Sequence, residues 1–316
     1  MLRSLSYRWV VALSLVCLLI GSVISPLVQN RARQLPTDVD FSISTEPIEG
    51  TVDGMPALIR TERTTRTSPV EDRRLADTSS ELEIFADDEK LATLTQTARL
   101  NRESTYPVAE APAEQTLTIA ATGEEFSEDL TPRDGLEYFF PSQTEQRSYP
   151  YYDPVLQEAI PVDFAGSVRL DGVPTYKFQQ DISYRELDSE EELFGSVEEF
   201  YSAEERQEYG FAPGTKVVLK PYYSVSRTLW VEPTTGEIVN AMEHPSIVFA
   251  ADPDTPAAET TVFDARLKWT QPVLEGARST VTSIKVWALV TWLSNAAAVI
   301  FLILAGWLYA SRRENS

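Results

Sequence analysis

Apolar and polar residues follow three regimes along this chain. From Val286 to Ala310 no charged residue occurs over about 25 positions, which at ~1.5 Å per residue makes a helix of roughly 37 Å, long enough to cross a hydrocarbon core with some tilt. Lys285 precedes this run and Arg312 and Arg313 follow it. Trp287 and Trp292 near one end, and Trp307 and Tyr309 near the other, stand where amphipathic rings meet the two interfaces. A second run, Trp9 to Val28, predicts another spanning helix. It is longer than a signal-peptide core, and Ser25-Pro26 offers a poor small-x-small cleavage pattern, so it reads as an uncleaved anchor. Gly21 and Ser25 present small side chains that could meet Ala296–Ala298 or Ala305-Gly306 of the other helix, or a second copy of the chain.

Between the two runs the period drops to 2. Val39, Phe41 and Ile43 alternate with polar residues, and Ala57-Leu58-Ile59 leads into Arg60, Arg63 and Arg66 among threonines. Those arginines read either as a ligand-facing basic strip or as partners of nearby carboxylates. Glu81 to Leu100 predicts two strands around Asp87-Asp88-Glu89-Lys90, and Gln115 to Ala121 a third. Phe164 to Ile182 predicts a hairpin in which Val168 and Leu170 share a face with Tyr176, Phe178 and Ile182, across the turn Asp171-Gly172. Lys216–Leu219, and Val225–Glu232 with Glu237–Met242 around Pro233-Thr234-Thr235-Gly236, follow as short strands, then Thr261–Thr270. Helical spacing first appears where Leu193, Phe194, Val197, Phe200 and Tyr201 line one side of Asp188–Arg206 and glutamates fill the other. After Gln271-Pro272 the positions Val273, Ala277, Val281 and Ile284 predict a helical stalk running into the second spanning helix.

The predicted fold is therefore mainly β (α+β): an extracytoplasmic domain built as a twisted sheet, sandwich or partly closed barrel, between two terminal transmembrane helices. The divisions are a cytoplasmic tail at 1–8, a helix at 9–28, the β-rich domain at 29–270, a stalk at 271–285, the second helix at 286–310 and a cytoplasmic tail at 311–316. A long acidic domain translocates regardless of flanking charge, and Arg312-Arg313 keeps the C-terminus inside. This places the chain in the plasma membrane with both termini cytoplasmic.

Charge narrows the partners. The chain carries 27 Lys and Arg against 48 Asp and Glu, and nearly all of the acid lies between the two apolar runs. Such a surface repels nucleic acid and anionic headgroups, and the expected partner is the bilayer that the two apolar runs cross. The only cysteine, Cys17, lies in the first apolar run, so no disulfide can staple the middle domain. Catalytic patterns are scarce. His244 is the single histidine, no Gly-x-Ser-x-Gly elbow accompanies it, and no spaced His or Asp/Asn-Gly set marks a metal loop. No catalytic residue, metal or cofactor is expected, and the chain reads as no enzyme. A carboxylate pair acting on envelope glycans remains an alternative.

The aromatic stretch Leu136–Pro154 is the best candidate for binding. Tyr138, Phe140, Tyr149, Tyr151 and Tyr152, with Trp230, are the expected ligand-binding residues for an apolar or carbohydrate-bearing molecule; a loop stapled to the core by its rings is the structural alternative.

Several stretches resemble a known family. Gly135-Leu-Glu-Tyr-Phe-Phe-Pro141, Tyr149-Pro-Tyr-Tyr-Asp-Pro154, Asp171-Gly-Val-Pro-Thr-Tyr-Lys-Phe178, and Tyr222 to Val239 with its Arg-Thr-Leu-Trp-Val-Glu-Pro-Thr-Thr-Gly resemble the actinobacterial two-helix envelope proteins called porin PorA-like. The resemblance includes both anchors and departs at Arg99-Leu-Asn-Arg102. It implies an actinobacterial plasma membrane and a domain facing the cell-wall space, and carries no catalytic residues. Arg227–Gly236 also resembles, more weakly, the class B scavenger receptors, which hang a lipid-handling ectodomain between two helices. The expected function is a non-enzymatic envelope protein that binds or transfers an apolar lipid or glycolipid; the alternative is a porin or channel subunit. A β-pore needs a continuous lipid-facing apolar parity, which short and heavily charged strands would not supply.

Overall fold

The computed structural model describes residues 7–313 except Pro272, and divides into two units, 35–274 and the terminal helices. The predicted start of a helix at Pro272, Arg3 with most of the tail ending at residue 8, and residues 314–316 lie outside the described residues, as do the side chains of Arg312 and Arg313.

The chain opens with α1 (Tyr7–Leu19), a π turn at Ile20–Ile24, and α2 (Ser25–Arg33), so the first helix is longer than 9–28. The 35–274 unit is one antiparallel sheet. Its strands are β1 (Asp40–Ser44), β2 (Ile48–Val52), β3 (Met55–Pro69), β4 (Leu75–Ala86), β5 (Glu89–Asn101), β6 (Glu114–Ile119), β7 (Glu125–Asp129), β8 (Tyr149–Asp153), β9 (Glu158–Leu170), β10 (Val173–Glu186), β11 (Leu193–Ser196), β12 (Lys216–Val231), β13 (Ile238–Ala250), β14 (Pro256–Asp264) and β15 (Leu267–Lys268). The main path runs β7-β6-β5-β4-β3-β2-β14-β13-β12-β10-β9-β8, with β1, β11 and β15 attached to β3, β12 and β13. No ladder joins β7 to β8, so the sheet is not closed into a barrel. The mainly β class and the two terminal apolar helices agree with the sequence reading.

Several elements differ from expectation. The strands are not short: β3 runs 15 residues and β12 runs 16, the latter passing through Pro221 where two separate strands were expected. β13 likewise continues past His244-Pro245. β7, Glu-Phe-Ser-Glu-Asp, was not predicted, because only one apolar side chain marks it. In the β9–β10 hairpin Asp171 (φ 47°) and Gly172 (φ 81°) make the expected tight turn. A register shift beside Lys177 then sets Phe178 opposite Phe164, and leaves Val168 exposed opposite Thr175 rather than on the Phe178 face.

The acidic helix expected over 188–206 is broken into β11, α3 (Val197–Phe200) and α4 (Ala203–Glu208). Two serine caps explain the break. Glu199 accepts a hydrogen bond from Ser196 N at 3.0 Å, and Glu205 accepts one from Ser202 N at 2.7 Å, each restarting the chain as a short turn. Val197 and Tyr201 still reach a buried cluster with Leu219, Phe249 and Ala257, while Phe194 is exposed on the strand.

The second terminal helix is α5 (Glu275–Arg313), unbroken over 39 residues. Tyr7–Arg33 and Arg278–Ser311 are each long and apolar enough to cross a membrane. They pack through small and polar groups. Ser14 Oγ donates to Ala298 O at 2.9 Å, Ser22 Oγ to Asn295 Oδ1 at 3.1 Å, Ser25 Oγ to Trp287 O at 2.7 Å and Gln29 Nε2 to Thr291 Oγ1 at 3.1 Å. The small-residue face thus meets Trp287, Thr291, Asn295 and Ala298, and Ala305 further along the same helix is also buried. Bulky apolar side chains such as Trp9, Leu27, Trp292 and Ile303 point away from this seam and are exposed.

Candidate functional site

Strand parity builds the site. On the inward face of the β1 and β3–β7 half, Ile43, Arg63, Leu82, Leu94, Leu117 and Phe126 form one row across the ladders. Thr61, Ile84, Ala92 and Ile119 form the next. All of these line a cavity of about 620 Å³ inside the sheet, within the ~300–1,000 Å³ span of small-molecule sites. The facing wall comes from Tyr223, Arg227 and Leu229 on β12 and from Ala241, Glu243, Pro245 and Ile247 on β13. The outward rows have the opposite character. Glu62, Glu83, Thr93, Thr118 and Glu125 run across the same strands, as do Thr64, Glu81, Thr95, Thr116 and Ser127.

A third inward row is polar and buried: Thr65, Ser80, Gln96 and Gln115. Gln96 Nε2 donates to Gln115 Oε1 at 3.0 Å, and Tyr138 OH donates to Gln96 Oε1 at 3.2 Å. This row is covered by the segment 133–140, in which Arg133 and Glu137 form a buried ion pair and the Arg133 guanidinium lies 4.2 Å from the Tyr152 ring centre. Where the two sheet ends approach, Gln115 Nε2 donates to Pro154 O at 3.1 Å and Gln157 Nε2 donates to Glu128. Side chains, not strand pairing, close that seam.

Arg227 anchors the opposite wall. Its Nη2 donates to Asp153 Oδ2 at 2.9 Å and its Nε to Glu243 Oε2 at 3.3 Å, and its Nη1 donates to Gln180. Burial opposes the Arg227 charge, but Glu243 and Asp153 outweigh it and hold the guanidinium ionised. Tyr223 OH donates to Asp153 Oδ2 at 3.1 Å, and burial followed by the Asp153 charge keeps that phenol protonated. Burial likewise pushes Tyr151 up to about 12. One guanidinium thus serves two carboxylates, Asp153 fully buried and Glu243 partly open to the cavity.

The structure separates the six sequence-predicted site residues. Tyr138 and Tyr151 line the cavity, and Tyr151 OH donates to Glu137 O at 2.8 Å. Phe140 stacks on Phe178 and Tyr149 meets it edge-on in the solid core behind the cavity, with ring centres 4.8 and 5.9 Å from that of Phe178. Tyr152 packs on Arg133 in a second buried cluster. Trp230 has the opposite parity to Leu229 and Val231, is half-buried, and does not line the cavity. Residue-type reasoning missed the aliphatic rows and Arg227, and offered Arg63 only together with Arg60 and Arg66, as a ligand-facing strip or as partners of carboxylates. The i, i+2 pattern through Thr61, Arg63 and Thr65 carried the signal for Arg63, because Arg60 and Arg66 fall on the other face. Arg60 pairs there with Glu62 and Asp88, and Arg66 with Asp40. His244 Nε2 sits 3.1 Å from both oxygens of Asp264, outside the cavity lining.

Comparison with known proteins returns one family. A family model described as Porin PorA matches residues 8–308. A "Porin PorA" of Corynebacterium resistens (strain DSM 45100 / JCM 12819 / GTC 2026 / SICGH 158) is 30% identical over 192 residues, covering 49% of this chain and 46% of that protein. A "Porin PorA" of Corynebacterium amycolatum is 27% identical over 172 residues, covering 48% of this chain and 43% of that protein. The chain spans about half the length of the curated relatives it matches.

Proposed function

Because this chain belongs to the porin PorA family, matched along residues 8–308, we propose that it is a non-enzymatic membrane protein of the cell envelope whose β-unit, displayed outside the plasma membrane, holds an apolar or glycolipid ligand in its central cavity. The observation that carries this reading is the polarity of the sheet, aliphatic toward a cavity of about 620 Å³ and charged on the outside. A cavity lined by Leu82, Leu94, Leu117, Ile84 and Ile119 gains from covering an acyl chain, at about 25 cal/mol per Å² of apolar area removed from water. The test is lipid extraction from the purified full chain followed by mass spectrometry, with Leu94→Trp as the cavity-filling control. Wild type is expected to carry a lipid that the variant lacks, and a wild type free of lipid counts against the proposal.

A second reading, a channel subunit, is favoured by the name of the two Corynebacterium relatives. Planar-bilayer recording of the pure full chain tests it: unit conductance steps support a channel, and a silent bilayer at high protein density argues for the carrier.

A further inference from the structure

Arg63 stands out among the charges of the cavity. Three carboxylates line it, and each has a donor of its own: Glu128 is held by Gln157, Glu137 by Arg133, and Glu243 by Arg227. Arg227 is held in turn by Asp153 and Gln180. Arg63, half-buried between Ile43 and Leu82 in an otherwise apolar row, has no ion-pair or hydrogen-bond partner among the described residues. Arg60 and Arg66 on the outer face each pair with a carboxylate, while Arg63 between them turns to the cavity and does not. The guanidinium stays open to the cavity, so an anion entering there can reach it.

Resting on the carrier reading above, we propose that Arg63 binds the anionic headgroup, carboxylate or phosphate, of an amphiphile whose acyl chain lies along the aliphatic rows. The planar fork of a guanidinium suits bidentate contact with either group. The position fits. Leu82, Leu94, Leu117 and Phe126 extend the row away from Arg63 on one side, giving the chain an apolar track that begins at the charge. Tyr138 and Tyr151 also line the cavity, but their hydroxyls already donate to Gln96 Oε1 and Glu137 O, which leaves the guanidinium as the donor for a headgroup.

The test is native mass spectrometry of the full chain released from detergent, offered palmitate, monohexadecyl phosphate, hexadecanol, or inorganic phosphate alone. Wild type is expected to retain the two anionic amphiphiles roughly ten- to hundredfold better than hexadecanol, the worth of a charge-assisted hydrogen-bond pair. Arg63→Gln brings them down to the level of hexadecanol without changing hexadecanol itself, whose retention also shows that the variant is folded. Arg63→Lys restores part of the difference. Equal retention of palmitate and hexadecanol by wild type, unaffected by Arg63→Gln, overturns the headgroup assignment and leaves the carrier reading standing. Failure to retain any amphiphile, with no difference between wild type and Leu94→Trp, overturns both. Inorganic phosphate displacing hexadecyl phosphate as well as palmitate does would show a free-anion site, and would overturn the amphiphile assignment.

Discussion

Replacing Asp153 with Asn removes one charge from the most deeply buried polar cluster and changes almost no volume. The Asp153 carboxylate is fully buried, and both of its oxygens are spoken for. Oδ1 accepts from Val155 N and Leu156 N, each at 2.9 Å, and Oδ2 accepts from Tyr223 OH at 3.1 Å and Arg227 Nη2 at 2.9 Å. In Asn the amide oxygen can serve only one of these sides. If it keeps the backbone donors, its NH₂ faces the Arg227 and Tyr223 donors and the ion pair is lost. Breaking a buried pair from one side costs about 3–5 kcal/mol. Glu243 still faces Arg227 and is partly exposed, which places the loss near the lower figure, about 3 kcal/mol. At ~2–4 °C per kcal/mol for a unit of this size, the midpoint of thermal unfolding falls by roughly 6–12 °C. The assay is thermal unfolding of the full chain in detergent, read by near-UV circular dichroism, for Asp153→Asn, Arg227→Met and the double variant. The two single costs should fail to add, with a coupling of about 2 kcal/mol or more. A shift under about 2 °C for Asp153→Asn, or strict additivity, would refute the reasoning.

Three further outcomes follow from other sites. Glu237 is pushed up to about 7 by burial and then by the neighbouring Glu232 charge. Its raised folded-state value contributes stability that is present below the ordinary glutamate range and lost as pH rises through about 7, so Glu237→Gln should gain on wild type by about 1–3 kcal/mol between pH 5 and pH 8 in denaturant titrations. At Gly236 (φ 79°) an added Cβ would stand 2.0 Å from Phe140 O and 2.8 Å from Pro141 O, both backbone atoms, so Gly236→Ala should cost several kcal/mol, read as a lowered unfolding midpoint or lost expression. In the helical unit a Cβ on Gly21 would meet Asn295 Oδ1 at 2.5 Å, and Gly21→Leu is expected to abolish disulfide formation between Ser14→Cys and Ala298→Cys, which should form readily without it.

The terminal helices and most hairpins were legible because their signals are local. An uninterrupted apolar run and an Asp-Gly turn declare themselves within a few residues. What was lost depended on competition between two local signals, or on register. Over 188–206 the helical spacing of Leu193, Val197 and Tyr201 was real, but Ser196 and Ser202 with a glutamate three residues on are start signals, and they cut the segment into pieces. The site was less legible because residue type is a poor guide to which side of a sheet a residue faces. Aromatic Phe140, Tyr149 and Tyr152 were expected at a ligand and pack as solid core, while plain leucines and isoleucines make the cavity. Parity within β12 alone separates Trp230 from Leu229. The arginine triplet shows the same point: three similar residues within seven positions divide by parity into two surface pairs and one inward charge.

The porin name and the geometry meet at the question of where water could run. A membrane β-pore carries apolar side chains outward and polar ones toward its lumen. Here the rows are reversed: Glu62, Glu83 and Glu125 belong to the outward face and Leu82, Leu94 and Leu117 to the inward one, so inserting this sheet into lipid would bury charge against the acyl chains. The helices offer little more within a single chain. Ser14, Ser22, Ser25, Gln29, Thr291 and Asn295 are engaged with one another or with backbone carbonyls across the helix pair, and the outer faces carry Trp9, Leu27, Trp292 and Ile303. Conductance by this chain would therefore require several copies and a repacking that exposes Asn295 and Thr291 to a shared lumen. Holding an amphiphile requires no such change, since the apolar face that such a molecule needs is already turned inward and the charged face already meets water.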